Sequence, residues 1–328
     1  MEVMSKIKVG IYGAAGYTAG ELIRLLVHHP EVELVFAQSE SQAGKPIVEL
    51  HKDLIGDIDL AFSKELQLDR IDVLFLCKGH GESTDFVKEN KDALTSVKLV
   101  DLSHDFRARS NDENFIYGLP EINKAVIEKA NRVANPGCFA TAIQLGLIPA
   151  AHHQLIDSTV NVSGITGSTG AGQKLTETSH FSWRSGNMSV YKAFKHQHLA
   201  EIGESLVQMD GGFDEAIHFI PYRGNFTRGI IITSYFSCDA DEEVIKAYYK
   251  EFYAEHPFVH VVDTNPDVKQ VVNTNKALIY LEKHDDQLMV ISVIDNLLKG
   301  ASGQALQNMN LMFGLEEKTG LNLKSIAF

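Results

Sequence analysis

A cysteine directly follows a turn sequence in the stretch RVANPGCFATA, residues 132–142. The Asn-Pro-Gly before Cys138 predicts a turn, and the residues after it predict a helix. A thiol in the first turn of a helix lies at the positive end of the backbone dipole, where free N–H groups stabilise a thiolate. This placement indicates a nucleophile, although a small buried packing residue is the common alternative for an unpaired cysteine.

Side chains that could carry a proton occur together in HQHLAEI, residues 196–202, which holds His196, His198 and Glu201. If a helix begins here, His198 and Glu201 are three residues apart and lie on one face. A histidine beside a carboxylate can take up and return a proton during a reaction. A solvated, histidine-rich helix start is the alternative that these residues alone leave open.

A glycine-rich turn lies near the start of the chain, in GIYGAAGYTAGEL, with glycines at 10, 13 and 16. It stands between a predicted strand and a predicted helix. Backbone without side chains can approach a diphosphate closely, and the N–H groups of the helix then face its charge. The turn therefore predicts a dinucleotide site, and a purely structural tight turn is the alternative.

The residues after the second predicted strand bear on which dinucleotide is bound, and here they read FAQSESQAGK. An acidic residue at this point suits the ribose of NAD, whereas hydroxyl and basic groups suit the extra phosphate of NADP. Ser39, Ser41 and Lys45 favour NADP, and Glu40 favours NAD. These residues leave the choice open.

The elements that position these motifs are of two kinds, and the first kind fills the first 140 residues. Strands are predicted at 7–14, 32–39, 71–79 and 98–103, and an amphipathic helix at 18–29. Strands of nearly continuous apolar character are typical of a parallel sheet covered on both faces. The alternation predicts an α/β domain with a Rossmann-type, doubly wound parallel sheet.

After Cys138 the strands alternate polar and apolar residues, and helices separate them. Helices are predicted at 139–153, 241–256 and 301–317, and strands at 158–167, 218–238 and 277–295. This pattern predicts a second, α+β domain with a mixed or antiparallel sheet. No Pro-rich linker separates the two parts, so we expect a packed crossing near residue 140 and a last helix that returns to the first domain.

The composition is that of a globular protein: 328 residues, 44% hydrophobic and 22% charged, with a formal net charge of −13. That charge argues against nucleic acid as the main partner. Three cysteines far apart fit a reduced, cytoplasmic compartment, and no Cys/His spacing suggests a metal site. No apolar run is long enough to span a membrane.

Seven motifs in one order carry a family resemblance. They are GAAGYTAGEL at 13–22, DLSHDFR at 101–107, YGLPE at 117–121, NPGCFATA at 135–142, HQHLAEI at 196–202, PYRG at 221–224 and KGASGQALQNMN at 299–310. The chain resembles the N-acetyl-γ-glutamyl-phosphate reductases of arginine biosynthesis, which are relatives of aspartate-semialdehyde dehydrogenases. The resemblance implies NADPH-dependent reduction of N-acetyl-L-glutamyl 5-phosphate to the 5-semialdehyde, with release of phosphate.

The resemblance also implies a domain plan and a partner. An NADP-binding domain is expected at residues 1–140, completed by 301–328, and a catalytic and oligomerisation domain at 141–300. A homodimer or homotetramer is expected, with a small acyl phosphate as substrate. An enzyme acting on aspartyl phosphate and a non-catalytic NADP-sensing protein of the same fold are the alternatives.

Site roles follow from the same resemblance. Cys138 is the expected nucleophile, which forms a thioacyl intermediate, and His198 is the expected acid/base, oriented by Glu201. The residues expected to bind substrate are Arg107, Arg223, Ser163 and His196. The residues expected to bind the cofactor are Gly10, Gly13, Ala15, Gly16, Tyr17, Thr18, Ser39, Ser41, Gly303, Gln304 and Asn308.

Two open points and two departures accompany these roles. Arg107 could instead pair with Asp101 or Asp105 as a structural bridge, because buried arginines usually have acidic partners. Members of the family often carry a basic residue where Glu40 stands, and an arginine where this chain has Gln173.

Overall fold

The protein is described from a computed structural model, which covers residues 5–79, 81–111 and 113–326. It divides into two compact units. The first is Met1–Pro136 with Ala301–Asn322, and the second is Gly137–Gly300 with Leu323–Phe328. The ends of the expected domains, residues 1–4 and 327–328, lie outside the described residues.

The division differs from the expected one at two points. The expected boundary near residue 140 would cut a helix that begins at Cys138, and the chain divides just before that helix. The return to the first unit ends at Asn322 rather than 328. The residues that follow join the second unit, where the Asn273 side chain donates to the Lys324 carbonyl at 3.2 Å.

Strands and helices are numbered here in chain order. The strands are β1 Ile7–Tyr12, β2 Val32–Gln38, β3 Val73–Leu76, β4 Lys98–Asp101, β5 Ile116–Tyr117, β6 Arg132–Ala134, β7 Val160–Thr166, β8 Ser189–Val190, β9 Ile217–Arg223, β10 Ile230–Ser237, β11 Val259–Val262, β12 Ala277–His284 and β13 Gln287–Ile294. The α-helices are α1 Tyr17–Leu26, α2 Ile47–Leu50, α3 Glu82–Glu89, α4 Pro120–Ile127, α5 Cys138–His152, α6 Phe181–Arg184, α7 His198–Met209, α8 Glu242–Phe252 and α9 Gly303–Met312.

The sheet of the first unit is parallel, in the order β2-β1-β3-β4-β6-β5. Its central strand β3, VLFL, is buried at every residue, as expected where helices cover both faces. One cluster joins Phe36, Leu74, Phe86 and Leu99 from the sheet and from α3. The prediction of a Rossmann-type, doubly wound parallel sheet is confirmed.

The sheet of the second unit is mixed, in the order β11-β12-β13-β10-β7-β9-β8. The stretch predicted as an antiparallel strand, 158–167, becomes β7, which runs antiparallel to β10 and parallel to β9. The stretch 218–238 divides into β9 and β10, with β7 between them. The loop that joins them crosses the end of β7, where the backbone N–H of Ser168 donates to the Phe226 carbonyl.

Helix α5 is the core helix of the second unit. Every residue from Phe139 to Ala151 is buried, as expected for a helix that is apolar all round. It packs against α7 and against the sheet at β10 and β13. This burial holds the first residue of the helix, Cys138, at a fixed place.

The last long helix is shorter than predicted. The prediction covered 301–317, but α9 runs from Gly303 to Met312 and follows a π-helical turn at Leu298–Ser302. After α9 the chain turns at Gly314, which has a φ of 69°, a conformation that ends helices. Within the described part of the chain, no helix is both long and apolar enough to cross a membrane.

Candidate active site

Cys138 is the first residue of α5, and Gly137 is the N-cap. The prediction of a thiol in the first turn of a helix is therefore confirmed. The helix has 15 residues, and the N–H groups of its first turn have no partner within the helix itself. The side chain is partly exposed, and the cysteine is not in a disulfide. A thiolate here would lie at the positive end of the helix dipole.

The predicted proton carriers lie at the start of α7, which begins at His198. Their ring and carboxylate are adjacent, with 3.8 Å between His198 Nε2 and Glu201 Oε1. The other carboxylate oxygen accepts a hydrogen bond from the backbone N–H of Gly137 at 3.1 Å. Glu201 thus ties the start of α7 to the residue before Cys138, and all three predicted catalytic residues come together in the second unit.

His196 is packed beside this group. Its ring centroid lies 4.5 Å from that of His198 and 5.6 Å from that of Phe139. Its Nδ1 accepts the backbone N–H of His198 at 3.3 Å. Burial, and after it the charge of Lys192, lowers the pKa of His196 to about 4. The ring is therefore neutral at neutral pH, and it supports the position of His198.

Arg223 lies at the end of β9, on the side of the second unit that holds His196. Its guanidinium carbon lies 4.8 Å from the ring centroid of Tyr191. Its backbone carbonyl accepts a hydrogen bond from the buried Arg184 at 2.8 Å. Neither Tyr191 nor Arg184 was predicted from the sequence. Their placement depends on the pairing of the short strand β8 with β9, which has no local sequence signal.

Ser163 is not brought together with these residues. It is exposed on β7, whose buried residues alternate with it and include Gly164. A Cβ added to Gly164 would lie 2.8 Å from the ring of Phe139, so that face of β7 is the one that packs on α5. Ser163 therefore points to the opposite face of the sheet. Its substrate role stays a prediction.

Arg107 belongs to the first unit and is buried. Its Nε donates to the Asn135 carbonyl at 2.9 Å, and one terminal nitrogen donates to the Leu102 carbonyl at 3.2 Å. Asp101 accepts the hydroxyls of Ser83 and Ser103. Burial raises the pKa of Asp101, and the charge of Arg107 opposes that shift, so the two groups interact. Asp105 accepts backbone N–H groups of Gly81 and Thr84. Arg107 thus helps to hold the loop that carries Asn135.

The glycine turn has the geometry expected of a diphosphate cradle at two of its three glycines. Gly13 has a φ of 89°, and a Cβ there would lie 3.0 Å from the backbone at Cys77 and Lys78. Gly16 is the N-cap of α1, and a Cβ there would meet nothing within 4 Å. Gly10 has a different role, because it is buried in β1 where the ring of Phe36 fills its side-chain space.

Ala15 lies between Gly13 and the N-cap Gly16, and Tyr17 and Thr18 are the first two residues of α1. The start of α9 is joined to them, since the Ser302 hydroxyl donates to the Thr18 carbonyl at 2.7 Å. This contact brings Gly303, the first residue of α9, close to the glycine turn. Ser302 was not predicted from the sequence.

The two buried amides of α9 differ from Gly303. Gln304 and Asn308 are both completely buried. The Asn308 amide donates to the Gly118 carbonyl at 2.8 Å and to the Asn135 side-chain oxygen at 3.1 Å. Asn308 therefore stabilises the interior of the unit, and its contact with the cofactor stays a prediction.

The end of β2 forms one wall of a cavity of about 550 Å³, lined among others by Tyr12, Gln38, Glu40 and Lys64. Glu40 is largely exposed, and Lys78 lies 3.4 Å from its carboxylate. Ser39 is buried, with its N–H donating to the Ser63 carbonyl, whereas Ser41 is exposed. Lys78 offsets the charge of Glu40. The described residues contain no group of three or more His, Cys, Asp or Glu side chains that could hold a metal ion.

Comparison with known proteins places this geometry in a family. The profile "Semialdehyde dehydrogenase, NAD binding domain" matches residues 8–130, and "Semialdehyde dehydrogenase, dimerisation domain" matches residues 138–296. Solved structures share the fold. Aspartate semialdehyde dehydrogenase II of Vibrio cholerae, complexed with ASA, has a TM-score of 0.75 at 16% identity and covers 94% of this chain and 99% of its own. Aspartate semialdehyde dehydrogenase of Candida albicans, with NADP, has a TM-score of 0.69 at 15% identity and the same coverage.

Curated relatives are far more similar in sequence. N-acetyl-gamma-glutamyl-phosphate reductase of Parabacteroides distasonis is 56% identical, and that of Bacteroides fragilis strain ATCC 25285 is 58% identical, each covering 98% of this chain and 100% of the relative. The enzyme of Flavobacterium johnsoniae is 56% identical over the same shares. Because this similarity extends over nearly the whole chain and both profiles match in order, the chain belongs to the N-acetyl-γ-glutamyl-phosphate reductases of the semialdehyde dehydrogenase family.

Proposed function

We propose that this chain reduces N-acetyl-L-glutamyl 5-phosphate to N-acetyl-L-glutamate 5-semialdehyde and phosphate with NADPH, in arginine biosynthesis. The observation that carries the proposal is the position of Cys138 as the first residue of α5, with Glu201 linked to Gly137 beside it. The names of the relatives supply the substrate.

Cys138 is the nucleophile in this proposal. Its thiolate attacks the acyl carbon of the substrate, the bond to phosphate breaks, and a thioester forms on the sulfur. NADPH, when bound, supplies the hydride that reduces a thioester to the level of an aldehyde. The sulfur of Cys138 then leaves as a thiolate when the carbonyl of the aldehyde forms. The N–H groups at the start of α5 stabilise the thiolate at both ends of this sequence.

His198 is the proton carrier, and Glu201 is its positioning residue. The carboxylate lies 3.8 Å from His198 Nε2 and is held at its other oxygen by the Gly137 N–H. A carboxylate at that distance favours the protonated imidazole that forms when the thiol gives up its proton. Neutral His196 supports His198 through the backbone hydrogen bond to Nδ1.

The anionic groups of the substrate need fixed cations, and Arg223 is the candidate in the second unit. A guanidinium can bind a carboxylate or a phosphate in two-point geometry. The hydrogen bond from Arg184 to the Arg223 carbonyl supports this position. Arg107 remains a candidate in the first unit on the strength of the DLSHDFR motif.

The cofactor is NADP(H) in this proposal. Its diphosphate would lie over the turn from Gly13 to Thr18, where the missing side chains leave room and α1 offers its N–H groups. Ser41, Lys64 and Lys78 would suit a phosphate on the ribose. Gly303 would contact the cofactor from the start of α9, and Gln304 would support that contact.

We also propose that the chain works as a homodimer or homotetramer in the cytoplasm. The profile that matches residues 138–296 is that of a dimerisation domain. Cys77, Cys138 and Cys238 are not in disulfides, which fits a reducing compartment.

The test is a steady-state assay in the oxidative direction. The purified protein is given N-acetyl-glutamate semialdehyde, phosphate and NADP+, and in parallel runs aspartate semialdehyde replaces the substrate or NAD+ the cofactor. We expect phosphate-dependent reduction of NADP+ only with the N-acetylated substrate. Turnover of aspartate semialdehyde alone, or binding of NADPH without turnover of either aldehyde, would overturn the proposal in favour of an aspartyl phosphate enzyme or a sensor.

A further inference from the structure

Tyr191 lies on the face of β9 that carries Arg223. β8 pairs with β9 so that Val190 is opposite Tyr222. The next residue continues this pairing, because the N–H of Tyr191 donates to the Pro221 carbonyl at 3.1 Å. Residues opposite each other in a sheet point to the same side, so Tyr191 shares a face with Pro221 and, on the diagonal, with Arg223.

The backbone just after Tyr191 is held in an uncommon conformation. Lys192 has a φ of 45° and Phe194 a φ of 59°, both in the left-handed region that ordinary residues seldom adopt. The N–H of Phe194 donates to the Phe219 carbonyl, which fixes this turn on β9. Such strain persists only where the surrounding structure imposes it, and it is common at functional sites. The turn fixes the direction of the tyrosine ring.

The ring has contacts on two sides within the second unit. The Arg223 guanidinium lies 4.8 Å from its centroid, and the His196 ring lies 5.9 Å from it, edge to face. His196 in turn contacts His198 and Phe139, the neighbour of Cys138. Tyr191 therefore belongs to the group of side chains that surrounds the thiol.

The hydroxyl keeps its proton in this setting. Burial raises the pKa of Tyr191 far above its usual value, and negative charge on Cys138 raises it further. The positive charge of Arg223 opposes the shift. A phenol that keeps its proton can donate a hydrogen bond.

We propose that Tyr191 is a further catalytic residue, whose hydroxyl donates a hydrogen bond to the oxygen of the acyl group carried by Cys138. This inference rests on the proposed function. When hydride adds to the thioester carbon, a C–H bond forms and the carbonyl electron pair moves to oxygen. When the C–S bond breaks, that pair returns and the sulfur leaves. Tyr191 keeps its proton throughout and stabilises the oxygen while it is negative.

The experiment compares Tyr191→Phe with a matched control, Tyr222→Phe. Tyr222 is the next tyrosine along, on the opposite face of β9. Both variants and the wild type are assayed with N-acetyl-glutamate semialdehyde, phosphate and NADP+, and the rate at which iodoacetamide alkylates Cys138 is measured in each. For Tyr191→Phe we expect kcat to fall about 10²-fold, the loss typical of one oxyanion donor. We expect unchanged KM values and an unchanged alkylation rate, and we expect Tyr222→Phe to match the wild type.

Three results would overturn the inference. Full kcat in Tyr191→Phe would mean that only the ring matters. A rise in KM with kcat unchanged would make the hydroxyl a ground-state binding group. A fall in the alkylation rate equal to the fall in kcat would mean that Tyr191 acts through Cys138. If the wild type itself fails to turn over the N-acetylated aldehyde, the proposed function fails first, and this is seen before any variant is compared.

Discussion

The glycine turn of the first unit and the cluster of side chains around Cys138 in the second unit are built in opposite ways. The turn depends on glycine having no side chain, because a Cβ at Gly13 would press on the backbone at Cys77 and Lys78. The cluster around Cys138 depends on side chains that bury one another, such as His196 and Glu201. One region presents backbone N–H groups to a ligand, and the other sets the protonation and direction of side chains.

The two regions are therefore sensitive to different kinds of substitution. A backbone cradle tolerates changes in the side chains around it and fails when a side chain is added. A buried cluster of ionisable groups fails when one of them is removed or changes its charge. Variants in the first region should alter cofactor binding, and variants in the second should alter chemistry or the dependence on pH.

The largest effect is expected from Cys138→Ser. Without the thiolate no thioester forms, and loss of an enzyme's nucleophile commonly costs more than about 10³-fold in kcat. The affinity for NADPH, measured by the change in its fluorescence on binding, should be unchanged. Loss of turnover with unchanged NADPH affinity would show that the two regions act independently.

A control for this variant is Cys238→Ala, which removes a buried thiol in the second unit that is not part of the group around Cys138. It should keep kcat within a few-fold if it folds, as a thermal melt would show. If Cys138→Ser lost NADPH affinity as well as turnover, the two regions would not be independent.

The sequence was informative where the signal was local. Cys138 in a first helical turn and His198 with Glu201 on one helix face follow from residues close in the chain, and each is found as predicted. The βα order of the first unit is equally local. Periodicity and turn residues report on such features because the contacts that create them lie within a few residues.

The sequence was uninformative where the placement of a side chain depended on the register of a strand. Ser163 was predicted to bind substrate, but in a strand a shift of one residue moves a side chain to the other face, and Ser163 lies on the face away from α5. Tyr191 was missed because it is placed by a strand of two residues and by a strained turn. The packing of Asn308 could not be predicted because its buried partners, Gly118 and Asn135, are distant in sequence.

A second prediction concerns the neutral state of His196. A histidine that is held neutral destabilises the folded protein in acid, because the unfolded chain binds the proton near pH 6.5 and the folded one only near pH 4. Its contribution is complete above pH 6.5 and is lost as the pH falls toward 4. At pH 5 the loss in the free energy of unfolding is about 2 kcal/mol.

The measurement is urea unfolding at pH 7 and pH 5. His196→Phe should lose about 2 kcal/mol less than the wild type between these two values, whatever its stability at pH 7. His218→Phe serves as the control, because His218 is exposed on β9, and it should follow the wild type. Equal losses in the wild type and in His196→Phe would show that the cluster around Cys138 does not depend on a neutral His196 ring.

The smallest effect, and the one that addresses the glycine turn, is expected from Gly13→Ala. Its φ of 89° and the 3.0 Å approach of backbone atoms oppose a methyl group, at a cost of about 1–2 kcal/mol. If that strain is relieved by a shift of the turn, NADPH affinity should fall about tenfold, because 1.4 kcal/mol corresponds to a factor of ten. The alkylation rate of Cys138 should not change. Gly211→Ala is the matched control, since Gly211 has open space around it. An equal fall in NADPH affinity in Gly211→Ala would show that the loss in Gly13→Ala does not come from the diphosphate cradle.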